Sequence, residues 1–305
     1  MSIDPSWPRV GGWESFDRAP GRVDLALLGV PAWRTSLSPT GAHATPAAVR
    51  EALTRFSPAV LASTSTGREP VDLRALVCAD AGDVAEPDGP AGEARVRERV
   101  AAVIERSRTL VAIGGDNSIT VPVALGAWGE DLGCAGLVTL DAHLDLRDGV
   151  SNGSPVRRLL EAGLDGRRVV QIGIADFANS VAYARRAATA GITLIHRDEL
   201  HRRPIAEVMA EALDIAGAAG GPVHVDLDVD VCDRAVAPGC PASVPGGLAA
   251  WELRAAARVA GADPRVRTVD ITEVDATSDA PDGRTVRLAA LCVLEVLAGL
   301  ATPHA

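Results

Sequence analysis

Two short segments hold most of the chemistry this sequence can perform: Asp141-Ala-His143-Leu-Asp145 and Asp226-Leu-Asp228-Val-Asp230. Each follows an apolar run. In extended chain alternate side chains share a face, so the acidic residues of each segment, and His143 with them, are expected to point one way. Carboxylates that converge in a low-dielectric crevice cannot all stay ionised without cations; otherwise their pKa values rise or the fold opens. A divalent metal is the simplest neutraliser, and an oxygen-rich set with a single imidazole suits manganese better than zinc. Either segment alone also reads as turn and capping chemistry, because Asp is at home at strand ends. Their joint occurrence is what points to a metal centre.

The elements that must hold these residues are legible as short Val/Ile/Leu runs at 23–30, 110–113, 136–140, 169–174, 192–195, 223–227 and 266–271. Between them, residues 47–54, 92–107, 155–162, 181–190, 205–219 and 249–261 have helical composition and spacing. Largely apolar strands alternating with helices predict a three-layer, doubly wound α/β fold, its mostly parallel sheet covered on both faces. In such sheets the binding crevice lies at the carboxyl ends of the strands. The two acidic segments fall there, as does a third strand end, Gly114-Gly-Asp116-Asn117-Ser118. Residues 86–92 read as a surface loop and not a boundary, so residues 1–305 are expected to form one catalytic domain.

Composition narrows the partners. The chain has a formal charge of −10 and no basic stripe, which excludes nucleic acid as an expected partner. All 30 of its basic residues are Arg, so no single Arg stands out by type alone. Five scattered cysteines without a CxxC pair read as reduced thiols of a cytoplasmic protein. Met1-Ser-Ile-Asp-Pro5 lacks a basic start followed by an apolar stretch, and the apolar tail at 288–300 is interrupted by Glu295, so no export signal and no membrane span is expected. His43, His196 and His201 have no motif around them, and His224 reads as core packing.

These motifs resemble the ureohydrolase superfamily of arginase, agmatinase and formimidoylglutamase. The resemblance runs from Gly29-Val-Pro31 through Gly82-Asp-Val84 and the three strand ends to Asp270-Ile-Thr-Glu273-Val274. Its most specific parts are the Asp141 to Asp145 motif, the stretch from Asp228 to Pro238, and Pro245-Gly-Gly247. It implies an arginase-like fold with two Mn²⁺ ions and a water between them that attacks an amidine or guanidinium carbon. Asp141 and Asp228 would then touch both ions, Asp145 and Asn117 the first, and His143 and Asp230 the second. Asp145 would also pass a proton to the departing nitrogen, and Glu273 would orient the cationic amidine. A small-molecule amidine or guanidino substrate and a homo-oligomer follow from the same resemblance.

Two departures shape the reading. Asn117 stands where arginases and agmatinases carry a His ligand, which makes the first site all-oxygen and the weaker of the two. Asn152, in Ser151-Asn-Gly-Ser-Pro155, stands where arginases carry a proton-shuttling His, and an amide cannot relay a proton. The loss resembles the formimidoylglutamase branch, whose substrate joins an amidine head to a dicarboxylate. Arg147, Ser151 and Asn152 are the expected substrate contacts, with Arg157 and Arg158 opening the next helix near the mouth. Hydrolysis of N-formimidoyl-L-glutamate to L-glutamate and formamide, as in histidine degradation, is therefore the leading expectation. A guanidino hydrolase releasing urea and a metal-poor binding protein on the same fold are the alternatives.

Overall fold

The computed structural model describes residue 4 and residues 6–62 and 69–302, so most of the N-terminal segment read above lies outside the described residues. Among the described residues eleven strands occur: β1 (Glu14–Ser15), β2 (Val23–Val30), β3 (Ala59–Val60), β4 (Val71–Asp72), β5 (Cys78–Asp83), β6 (Ser107–Gly114), β7 (Gly136–Leu140), β8 (Val169–Ile174), β9 (Thr193–His196), β10 (Val223–Asp228) and β11 (Val266–Thr272). The α-helices are α1 (Thr45–Leu53), α2 (Gly89–Ile104), α3 (Thr120–Trp128), α4 (Pro155–Ala162), α5 (Val181–Ala190), α6 (Ile205–Ala216), α7 (Ala250–Ala262) and α8 (Arg284–Ala301).

Nine strands form one sheet in the order β1-β5-β2-β6-β11-β10-β7-β8-β9, with every pairing parallel; β3 and β4 make a separate antiparallel pair. After β6 the chain skips two positions to β7, runs outward to β9, and returns through β10 and β11 to fill the gap. The carboxyl ends of β6, β11, β10 and β7 are thereby brought side by side where the winding reverses, the place an open α/β sheet offers a ligand.

The strands are buried on both faces, which is why they read as apolar runs. Leu25, Leu27, Val111, Val225, Leu227 and Ile271 pack on one face with α1, α6, α7 and α8. On the other, Ala26, Leu28, Leu110 and Ala112 meet α2, while Leu137 and Val169 meet α3, α4 and α5. The expected three-layer arrangement is present.

Some local expectations are corrected. β5 escaped detection because Cys-Ala-Asp-Ala-Gly-Asp carries little apolar signal. The stretch 86–92 is not wholly loop: α2 begins at Gly89, with a proline in its first turn, where a fixed φ favours helix entry. The tail at 288–300 is the buried body of α8, and Glu295 is neutralised by Arg254 and Arg258 of α7. Among the described residues no helix is long and apolar enough to cross a membrane.

Candidate metal centre and active site

The acidic residues converge by turn chemistry and not by the pleat. β7 ends at Leu140, after which the Asp141 carboxylate accepts the His143 N–H (2.6 Å), and Asp145 adopts a left-handed backbone (φ 50°). β10 ends at Asp228, whose carboxylate accepts the Asp230 N–H (2.8 Å) and caps a single 3₁₀ turn. The capping and metal readings of these residues thus coexist: one carboxylate oxygen fixes the turn, and the turn aims its neighbours. The two segments are tied together because Asp230 also accepts the Ala142 N–H (3.1 Å).

The third strand end is held by close backbone approach. A Cβ on Gly115 would lie 1.6 Å from the Ala32 carbonyl oxygen, so only glycine lets this loop pass. Gly115 accepts the Glu273 N–H (3.0 Å), which docks the end of β11 beside it. Glu273 is itself left-handed (φ 62°), and its Oε1 accepts the Asn117 N–H (2.7 Å) and the Asn152 amide (2.9 Å). Two non-glycine residues in this sparsely populated region, both acidic and both buried, concentrate backbone strain at one spot.

Ligand atoms of Asp141, His143 and Asp230 all lie within 4.8 Å of one another. His143 Nδ1 stands 2.7 Å from Asp230 and 3.3 Å from Asp141. Burial alone would discharge His143, but Asp230 and Asp141 outweigh it and push the imidazole up to about 12. Burial likewise works to raise Asp230, and the facing His143 overcomes it and holds that carboxyl below its ordinary value. Burial takes Asp141 up to about 7, with repulsion from Asp230 adding to it. Asp145 and Asp228 are driven well above the carboxylate range, first by burial and then by Asp141 and Asp230 respectively. Burial, with Asp116 adding, takes Glu273 up to about 8. Asp230 and Asp141 thus favour the cationic form of His143, the same demand for positive charge that a divalent cation would meet. The donor set, four aspartates and one imidazole, fits a hard or borderline ion such as Mn²⁺.

Asn117 is placed beside this set with its amide turned unexpectedly. Nδ2, not Oδ1, faces Asp145 (2.7 Å), while Oδ1 accepts the hydroxyls of Thr120 (2.7 Å) and Thr272 (3.1 Å). Asn117 and Asp141 are buried behind Asp145 and His143, which with Asp228, Asp230 and Glu273 line a cavity of about 420 Å³. Its walls include Arg147, Asn152, Tyr183, Leu37 and Phe177.

The other arginine and serine expectations fare differently. Arg147 reaches the rim, and Gly153 clears the way, since a Cβ there would meet the Arg147 side chain at 2.7 Å. Arg157 instead ties down the loop through the Arg147 and Gly149 carbonyls and pairs with Glu161. Arg158 is spent on Glu93 (2.7 Å). Ser151 is buried in a turn closed by Ser154 and is not among the residues lining the cavity. Asn152 ties Leu37 to the same side of the cavity, accepting the Leu37 N–H (3.0 Å). Sequence reasoning missed Thr120, Thr272 and Asn179. Asn179 clasps the loop that carries Asp141, His143 and Asp145 through the Leu144 N–H (2.8 Å) and the Ala142 carbonyl (2.9 Å). Nothing in the spacing of these residues distinguishes them from ordinary loop polarity.

The family model for the arginase family matches residues 23–299. A formimidoylglutamase from Halalkalibacterium halodurans is 35% identical over 288 residues, covering 91% of this chain and 88% of that protein. The crystal structure of formimidoylglutamase from Bacillus subtilis superposes with a TM-score of 0.86 at 28% identity, covering 99% of this chain and 95% of that one. Trypanosoma cruzi formiminoglutamase with Mn²⁺₂ gives a TM-score of 0.85 at 25% identity, covering 98% and 100%.

Proposed function

The chain belongs to the arginase family, and from that footing we propose that it is a manganese-dependent hydrolase of N-formimidoyl-L-glutamate, yielding L-glutamate and formamide. The observation that carries the reading is the polarity of the cavity: its buried lining residues Asp145, Asp228, Asp230 and Glu273 are acidic, and its exposed lining includes Arg147. A substrate with a cationic amidine head and a dicarboxylate tail matches that gradient end to end. A free ammonium tail, as on agmatine, would meet Arg147 unfavourably.

Asp141, Asp228, Asp145, Asn117, His143 and Asp230 would hold two Mn²⁺ ions, which when bound supply a water of lowered pKa and positive charge against the developing anion. The chain's own groups do the rest. Glu273, braced at Oε1 by Asn117 and Asn152, presents its carboxylate to the amidinium and orients the carbon to be attacked. Asp145, at the cavity wall, takes the proton from the attacking water and returns it to the departing glutamate nitrogen. One water is consumed, the C–N bond to glutamate breaks, and the carbon leaves as formamide. Arg147 and the lips at Leu37 and Phe177 hold the tail. The reaction belongs to histidine degradation, and we place it in a cytoplasmic homo-oligomer, a state that light scattering would measure.

The test is product identity. With Mn²⁺ present, N-formimidoyl-L-glutamate should give formamide, while guanidinobutyrate, agmatine and arginine give little urea. Urea production without formamide sinks the proposal.

A further inference from the structure

We propose that Thr272, backed by Asp226, is a positioning residue that decides which atom of the Asn117 amide faces the metal ligands; the inference rests on the manganese reading above.

Asn117 is buried with three polar neighbours. Its NH₂ donates to Asp145, and its oxygen accepts from Thr120 and Thr272. In this state it offers a cation beside Asp145 only N–H groups, which cannot ligate. A half-turn of the amide exchanges the two ends at no cost in volume, since O and NH₂ are nearly isosteric. Oδ1 then stands beside Asp145 as a ligand, and the NH₂ points at the two threonines. Both hydroxyls must then accept, so their protons need new acceptors.

Thr272 has one. Its Oγ1 lies 3.4 Å from Asp226 Oδ1, which is fully buried one step below Asp228 on the same face of β10. A hydroxyl carries one rotatable hydrogen and two lone pairs. Thr272 can therefore donate to Asn117 with its proton, or donate to Asp226 and accept from Asn117, and its own hydroxyl is paired in both states. Among the described residues the Thr120 hydroxyl bonds only to Asn117, so the pivot falls on Thr272. The register sets Thr272 opposite Asp228 and Asp226 opposite Asp270, so the Thr272 hydroxyl reaches Asp226 on the diagonal between β11 and β10 while also reaching Asn117.

The experiment is Mn²⁺ titration of metal-free protein by calorimetry, with electron paramagnetic resonance of the loaded samples. Wild type should take up two ions with a spin-coupled spectrum. Thr272→Val should bind the ion beside Asn117 about 10- to 100-fold more weakly, as for other outer partners of metal ligands, leave the second ion unchanged, and show the six-line signal of isolated Mn²⁺. Thr272→Ser keeps the hydroxyl and should restore the coupled spectrum, an outcome a loss of packing would not give. If Thr272→Val does not fold, Thr272→Ala read against Thr272→Ser carries the same test. A wild type that binds no Mn²⁺ overturns the metal reading and this inference together. A wild type that binds two, with Thr272→Val binding two as tightly, overturns this inference alone.

Discussion

Leu227 and Asp228 are neighbours on β10, both buried, and they face opposite sides of the sheet. On the Leu227 side, Val223, Val225, Val269 and Ile271 interlock with helices α6, α7 and α8 in the largest apolar cluster. On the Asp228 side, His224, Asp226, Thr268, Asp270 and Thr272 form a polar seam between two smaller apolar clusters, with Trp128 of α3 edge-on to His224. The seam is poorly satisfied: His224 Nε2 and both Asp270 oxygens lack a well-directed hydrogen bond, although His224 and Asp270 approach to 3.3 Å. One face supplies cohesion and the other accepts a loss of it in order to aim charged groups at the crevice, a division seen where sites are grafted on stable frames.

The sharpest way to break that comparison is to change the two neighbours separately. Asp228→Asn should lower turnover by about 10³-fold or more, since metal-borne charge stabilisation is worth several kcal/mol. It should not lower the melting temperature of metal-free protein, because it removes a carboxyl that burial disfavours in its ionised form. Leu227→Ala should do the reverse. It opens a cavity in the main core and costs about 2–5 kcal/mol in denaturant titration, while the folded fraction turns over nearly as before. Equal stability losses in both variants would refute the division.

The polar face should also betray itself in pH. Asp141 and Glu273 hold their protons in the folded, metal-free chain up to about 7 and about 8, whereas unfolded Asp and Glu release theirs near 3.8 and 4.5. Between about pH 4 and pH 8 the folded state therefore binds more protons than the unfolded one, and each rise in pH favours unfolding. Melts of metal-free protein should fall by a few degrees from pH 5 to pH 8. Protein loaded with Mn²⁺, whose binding expels those protons, should stay flatter. Matching slopes with and without metal would remove the electrostatic half of the comparison.

The same contrast explains what the sequence disclosed. Apolar periodicity reports the Leu227 face, so seven sheet strands and their parallel, doubly wound arrangement were readable. β5, built from Ala, Asp and Gly with one Cys, was not. The residues proposed to hold metal were legible by type, because two acidic segments with an imidazole at neighbouring strand ends say more together than either does alone. The way they converge was not. Asx-type turns and the positive φ of Asp145 and Glu273 replace the pleat that spacing suggested. Roles that depend on partners stayed hidden altogether: Arg158 looked free until Glu93 claimed it, and Thr272 looked like any strand threonine until Asn117 and Asp226 flanked it.

The smallest expected effect lies at the open end of the polar face. Phe177 is fully exposed, stands in the left-handed region (φ 63°), and lines the rim of the cavity. A bulky residue in that conformation costs on the order of 1–3 kcal/mol and gains nothing from burial. The segment is held, because Asn179 clamps it to the loop that carries His143 and Ser180 caps α5 through the Tyr183 N–H (3.1 Å). A ring held out at such a cost, in the lining of the cavity, is placed to cover the methylenes of a bound tail. Phe177→Ala should therefore raise KM about threefold to tenfold, the equivalent of about 1 kcal/mol of apolar contact, with kcat little changed. Phe177→Gly should raise KM as much and also raise the melting temperature, because glycine tolerates the positive φ. An unchanged KM in both variants would detach the ring from substrate, and an unchanged melting temperature in the glycine variant would show that the strain is not stored at this residue.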